Sequence, residues 1–230
     1  MKKNIAFTLA EVLITLGVIG VVAVLTISEL MTAYKAHRLR AQFLKSYSVL
    51  QQAFKQMEAD GMSLDPSTYN SRFYKVFANY VNVAVDCGNY STIKDEQKSV
   101  CFDYKYVDGV LKHGETYKTF NGSKLWDDIL DDGQLLLMDG TNLMFENVSG
   151  KFISVDLNGF NNPPNKAGYD LFTFQFIDGE LRTMGSKGTI YSDIDKYCNI
   201  KSNHYYNGIA CAHRAKTEPD YFRWVVKNVK

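Results

Sequence analysis

From Phe7 to Ile27 the chain carries one charge, Glu11, in an otherwise apolar stretch. A run of roughly 20 such residues is long enough to cross a bilayer as a helix. A carboxylate inside it is costly in lipid and marks a specific partner or role. Lys2 and Lys3 stand just ahead of the run, and Lys35, Arg38 and Arg40 follow it, so flanking charge alone does not orient the segment. Two other readings of the run are a secretory signal with a small-x-small site at Thr26-Ile27-Ser28 and a plain single-pass anchor.

The amphipathic sequence that follows extends the helix. Phe43, Tyr47, Leu50, Phe54 and Met57 recur at steps of four and three, a helical stripe, with Lys35, Arg38, Arg40, Lys45 and Gln51 on other faces. Gly61 is a natural stop. The pattern predicts one helix from Phe7 to about Asp60, on the order of 80 Å long. Its first half is apolar all round; its second half needs a globular partner.

The basic leader, the small residue Ala6, then Phe7-Thr8-Leu9, Glu11 and the apolar helix closely resemble the N-terminal signal of type IV pilins and type II secretion pseudopilins. The resemblance is specific over residues 1 to 27. It implies cleavage by a prepilin peptidase between Ala6 and Phe7, methylation of the new Phe7 amine, and membrane retention until an inner-membrane assembly platform extracts the subunit into a filament of its own copies or other pilins. It also implies that Glu11 neutralises the Phe7 amine of a neighbouring subunit, as a carboxylate within apolar packing requires. The implied division is a leader over 1–6, a membrane and filament-core helix over 7–29, and a periplasmic or extracellular head over 30–230, with the leader inside. Two departures stand out: Ala6 where glycine is usual, and Ser28 where many relatives carry a helix-kinking proline, which implies a straighter helix.

With 230 residues, the chain has room for one further domain. Lys plus Arg number 26 against 25 Asp plus Glu, so no basic footprint points to nucleic acid. Tyrosine and phenylalanine are abundant, at 15 and 14, and a core role is their plainest use. Cys87, Cys101, Cys198 and Cys211 all lie beyond the apolar run, in what would be an oxidising space. Four cysteines allow three pairings. The sequence-local pairs, Cys87 with Cys101 and Cys198 with Cys211, are the preferred ones. His204 and His213 lie near the second pair, but their spacing matches no common zinc pattern.

Asp65-Pro66 reads as a helix start, and Phe73, Val76, Phe77, Tyr80 and Val81 predict a second helix over 66–82. Cys87 to Cys101 reads as an exposed loop and Cys101 to Val107 as a strand before an Asp108-Gly109 turn. Residues 112 to 124 give no assignment. Strands are predicted over Gln134–Met138, Asn142–Glu146 and Phe152–Asp156, with Asp139-Gly140 as the first hairpin turn. Phe172, Phe174 and Phe176 alternate with Thr173 and Gln175, the pattern of a half-buried strand that turns at Asp178-Gly179 into Glu180 to Met184. Asp220 to Lys227 reads as a final strand. The fold class is therefore α+β: a long N-terminal helix packed on an antiparallel meander.

The block Val155 to Asn158, Gly159, Pro163-Pro164-Asn165, Gly168, Asp170 and Phe172 is similar to a structured loop in pilin-like heads, and the Cys198–Cys211 segment resembles their cysteine-bounded C-terminal loop. Some pseudopilin heads bind calcium. Asp156, Asn158 and Asp170 offer the oxygen ligands such an ion takes; the competing reading has these side chains bonding the loop backbone. No other cofactor is expected.

Catalytic signatures are missing from the sequence. There is no Gly-x-Ser-x-Gly elbow, His-Glu-x-x-His helix or phosphate-binding glycine loop. His37, His113, His204 and His213 are scattered, and Asp127, Asp128, Asp131 and Asp132 read as a solvated charge run before an Asp132-Gly133 turn. The expectation is a structural protein rather than an enzyme. A helix-anchored binding module that does not polymerise is the alternative, as is a secreted protein with an ordinary signal.

Overall fold

A computed structural model describes residues 8–104, 106–107, 110–111, 113–147 and 150–229. Its spine is α1, Leu9–Ala59, a continuous helix of 51 residues, about 77 Å long at 1.5 Å per residue. Thr8 caps its N-terminus, and Gly61, with φ of 70°, follows its C-cap Asp60. The predicted stripe is the docking face: Phe43, Leu50, Phe54 and Met57 are buried and Tyr47 is partly so. Burial along α1 begins at Ala36.

The sheet has six antiparallel strands in the order β1-β4-β5-β6-β7-β8. They are β1 Val83–Gly88, β4 Gly133–Leu137, β5 Asn142–Glu146, β6 Phe152–Asp156, β7 Leu171–Ile177 and β8 Glu180–Thr183. The last five form the predicted meander. Its β7–β8 turn places Asp178 and Gly179 at φ of 51° and 78°, the paired left-handed geometry that a two-residue hairpin favours. Lys45 Nζ reaches Asp139 Oδ2 at 2.6 Å and ties the β4–β5 turn to α1. The outer edge of β8 is covered: Tyr47 donates to Leu181 O at 3.3 Å and His213 N–H to Met184 O at 3.0 Å. Covering an edge in this way discourages unwanted strand pairing.

Both faces of the sheet are buried. On one, Leu135, Leu143, Phe145, Ile153, Val155, Phe172 and Phe174 pack with α1. On the other, Met144, Phe152 and Leu171 meet Phe102, Tyr104, Tyr117, Leu125, Ile129 and Leu130 from an irregular layer. β7 is therefore not solvated at Thr173, whereas Gln175 is half-buried. Thr173 is buried and its Oγ1 lies 2.8 Å from Ser154 Oγ across the strands.

Three expectations change, and one strand is added. The second helix is broken into a 3-10 segment Pro66–Arg72, a short α2 at Phe73–Phe77 and a 3-10 turn Ala78–Tyr80. Asp65 Oδ1 caps its start by accepting from Ser67 N, but Ser67, Thr68 and Asn70 favour local turns over α-helix. The chain then leaves as β1, a strand that local pattern did not reveal. Cys101 to Tyr104 is not strand; only β2 Tyr106–Val107 and β3 Val110–Leu111 pair there, and the Asp108-Gly109 turn lies outside the described residues. The predicted final strand is a helix, α5, Tyr221–Asn228, preceded by α3 Ile194–Tyr197 and α4 Cys211–Thr217. Its buried residues Tyr221, Phe222, Val225 and Val229 follow helical spacing, and Phe222 sits 5.7 Å from Phe43 between ring centroids. Docking on α1 rewards that period over alternation.

Candidate functional site

Among the described residues of α1 up to Ile27, no side chain is buried. Leu9, Leu13, Ile14, Leu16, Ile19, Val21 and Val24 are all exposed, with Leu9 at 79% and Val24 at 71%. A methyl group added at Gly17 or Gly20 would meet no atom within 4 Å. A surface this apolar marks contact with a membrane or another protein. At its N-terminus Thr8 and Glu11 form a reciprocal capping box. Glu11 Oε2 accepts from Thr8 N and Thr8 Oγ1, each at 2.8 Å, while Glu11 N–H donates to Thr8 Oγ1 at 3.3 Å. The two side chains thus satisfy two backbone N–H groups that the helix start leaves open, Glu11 that of Thr8 and Thr8 that of Glu11. The Thr8-x-x-Glu11 spacing carries this signal in the sequence. Ala6 and Phe7 lie outside the described residues.

Both local disulfides are formed, Cys87–Cys101 with a Cα separation of 5.7 Å and Cys198–Cys211 with one of 5.0 Å. No cysteine is left as a zinc ligand beside His204 and His213. The first bridge pins the exposed loop that follows β1 to the irregular layer. The second starts α4 under β7.

The loop between β6 and β7 brings Asp156, Asn158 and Asp170 together. Asp156 and Asp170 are fully buried. Asp156 Oδ1 accepts from Asn158 N at 3.2 Å and Gly159 N at 3.0 Å, and its Oδ2 accepts from the Tyr117 hydroxyl at 2.9 Å. Asp170 Oδ1 accepts from Lys166 N at 2.6 Å and Oδ2 from Asn165 N at 3.0 Å. Burial pushes both carboxyls above the usual range, and for Asp170 the charge of Asp156 adds to it. Around them Gln42 Oε1, Asn158 Oδ1 and Asn165 Oδ1 are buried without a hydrogen-bond donor. The two carboxylates thus bond the loop backbone, as the competing reading expected, and the orphaned amide oxygens beside them are of the kind a calcium ion takes. Burial disfavours the Lys166 ammonium and the charge of Asp170 favours it, which makes Lys166 the candidate countercharge within the chain.

The aspartate run before β4 is not solvated. Asp127 and Asp132 are buried, and Asp127 Oδ1 lies 2.8 Å from His113 Nδ1. Asp132 Oδ2 accepts from Asn147 N at 2.7 Å, and both Asp128 oxygens accept from the Tyr206 hydroxyl at 3.0 Å. Asp131, Asp132 and Glu146 hold carboxylate oxygens within 4.8 Å of one another. Burial, then the charges of Asp132, Glu146 and Asp128, push the Asp131 carboxyl up to about 7. Beside this cluster His113, Trp126, Tyr205 and His204 stack in a row, with Trp126 and Tyr205 centroids 4.2 Å apart. The row spends its ring faces on itself. Nothing in the run's local sequence signals burial, because the partners come from distant segments.

Compared with known proteins, the chain matches no family model, no curated protein and no solved structure. The architecture is pilin-like. A long N-terminal helix, apolar and bare in its first half, packs its second half on an antiparallel sheet, with two disulfides in the head. Among the described residues one helix is long and apolar enough to cross a membrane, and disulfides are at home outside the cytoplasm.

Proposed function

We propose that the chain is a structural filament subunit of the type IV pilin or type II secretion pseudopilin kind. The carrying observation is the division of labour along α1: one unbroken helix, whose described residues up to Ile27 bury no side chain against the head, while its second half is the core of the head. A free-standing apolar rod on a folded head is what a subunit needs to be held in a bilayer and then bundled with copies of itself. In this reading prepilin peptidase cuts between Ala6 and Phe7, the head stays outside the cytoplasm, and the assembly platform moves the helix from lipid into the filament core. The chain acts as a building element and not as a catalyst.

Glu11 has a specific part. Its two bonds to Thr8 both use Oε2, so Oε1 is available to the Phe7 amine of an adjoining subunit. Removing one partner of a buried ion pair costs about 3–5 kcal/mol, enough at each addition to stop growth. The test is Glu11→Leu, with Thr8→Ala as control, each expressed in a strain lacking the native copy. Glu11→Leu is expected to insert, to be cleaved at Phe7 and to be missing from sheared filaments. Thr8→Ala loses the cap, worth about 1 kcal/mol, but keeps the carboxylate and is expected to assemble. Normal filament yield from Glu11→Leu would show that Glu11 is not the assembly residue, and absence of the unaltered chain from sheared filaments would leave a non-polymerising anchored module as the better reading. A native N-terminus at Glu29 would make the run a secretory signal.

A further inference from the structure

The apolar run ends where the head begins, and the residues gathered there suit a membrane–water boundary. Glu29 is the first charged residue after the run, and it pairs with Arg223 of α5. About twenty residues at 1.5 Å each fill a hydrocarbon layer of about 30 Å, so a span starting near Leu9 ends beside Glu29. The Glu29–Arg223 pair therefore sets α5 level with the bilayer surface. Two further contacts hold it there. Arg40 Nη1 donates to Pro219 O at 2.9 Å, and Phe222 packs against Phe43 and Phe172, each at 5.7 Å.

The face α5 turns outward carries Arg223, Trp224 and Lys227, all exposed, with Trp224 at 40%. On another flank of α1, exposed Lys35 and Arg38 line a pocket of about 160 Å³ with Gln42, Asn158 and Tyr169. Lys35 and Arg38 stand about 9 and 14 Å along the helix from Glu29, and a headgroup layer adds about 5–8 Å beyond the hydrocarbon. Long basic side chains close that gap by reaching down to the phosphates. The acidic groups on this underside are Glu29, taken by Arg223, Asp220, and the buried Asp170, which lines the pocket with Lys35 and Arg38 and accepts from the backbone N–H groups of Asn165 and Lys166; Glu218 is held by Arg214.

We infer that the underside of the head is a lipid-binding surface that takes anionic phospholipid headgroups, with Trp224 seated at the interface and Lys227, Lys35 and Arg38 on the phosphates. The inference rests on reading α1 as a membrane span. Tryptophan and basic residues at this depth are the usual interfacial anchors, and each Lys or Arg near an anionic surface favours contact about fivefold. Because α1 already anchors the chain, this contact serves to hold the head in a fixed attitude on the bilayer until the subunit is withdrawn.

Trp126 is the other of the two tryptophans, so Trp126→Phe leaves Trp224 as the sole reporter. The full chain carrying this change would be reconstituted into vesicles of phosphatidylcholine and phosphatidylglycerol, washed with carbonate and floated. Trp224 emission would then be read with lipids brominated at shallow or deep acyl positions. Strong shallow quenching, weak deep quenching, and a clear loss of quenching in Arg38→Glu/Lys227→Glu are expected. A chain that floats but whose Trp224 is untouched by either lipid overturns the inference while the span stands. Equal quenching in vesicles of phosphatidylcholine alone overturns the recognition of anionic lipid. A chain that does not float after the wash refutes the span, and the inference falls with it.

Discussion

Phe43→Ala is expected to unlock the head from its own helix. Phe43 is fully buried and its ring meets Phe172 at 4.9 Å, Phe174 at 5.8 Å and Phe222 at 5.7 Å. One side chain therefore joins α1 to the middle of the sheet and to α5. Truncating a buried phenylalanine costs about 3–5 kcal/mol, and the loss of three ring partners, each pair worth about 0.5–1.5 kcal/mol beyond area burial, places this site at the upper end. For a chain of this size each kcal/mol moves Tm by about 2–4 °C, so a fall of roughly 10–20 °C is expected. The assay is near-ultraviolet circular dichroism of the full chain in detergent during a thermal ramp, which follows head packing rather than helix content. Leu13→Ala is the matched control: Leu13 is 62% exposed on the bare half of α1, and the head is expected to lose no more than about 0.5 kcal/mol. A loss below about 1 kcal/mol for Phe43→Ala would refute the role of α1 as the spine of the core. An equal loss for Leu13→Ala would refute the bipartite reading of the helix.

Other expectations are as direct. Replacing Cys198 and Cys211 together by alanine opens a loop with a sequence separation of 13 and is expected to cost about 3 kcal/mol, measured by urea titration; non-reducing peptide maps should show no Cys87–Cys198 linkage. The raised Asp131 carboxyl, at about 7, makes the folded head hold a proton that the unfolded chain releases near pH 4. Its contribution is fully present below that pH and is lost as pH rises through 7, so the head is expected to be more stable at pH 5 than at pH 8, by about 1–2 kcal/mol after allowance for solvent screening. Asp131→Asn should flatten part of that slope, and equal stability at both pH values would contradict the assignment. Calcium is expected to raise the Tm of the chain and a chelator to reverse it, through Asp156, Asn158 and Asp170; no shift would leave Lys166 as the countercharge and the ion would be dropped. A charged residue at position 6, as in Ala6→Glu, is expected to block processing before Phe7, read as an unshortened mass.

What the sequence disclosed depended on how far apart the partners were. α1 was legible because its signals are local: a continuous apolar run, then a stripe at helical steps, then Gly61. The meander from β4 to β8 was legible for the same reason, since the turns at Asp139-Gly140 and Asp178-Gly179 name their own neighbours. The two disulfides close short loops and follow the same logic. β1 escaped because its partner β4 lies about fifty residues further on; Val83 pairs with Leu137, and nothing near Val83 announces it. α5 was misread because Tyr221, Phe222, Trp224 and Val226 permit alternation, whereas the surface that decided its period was Phe43 on α1. The buried aspartates were misread because His113, Asn147 and Tyr206, which satisfy them, come from three separate stretches. The capping box is a different case, since Thr8 and Glu11 are only three residues apart. There the signal was local, and on the proposed reading Glu11 would answer to two demands at once. It completes the start of the helix within one chain, and its remaining oxygen is suited to a charge that another chain would bring. On the filament reading proposed above, a carboxylate bonded to its own helix start can stay at the membrane end until another subunit brings the charge it would pair with.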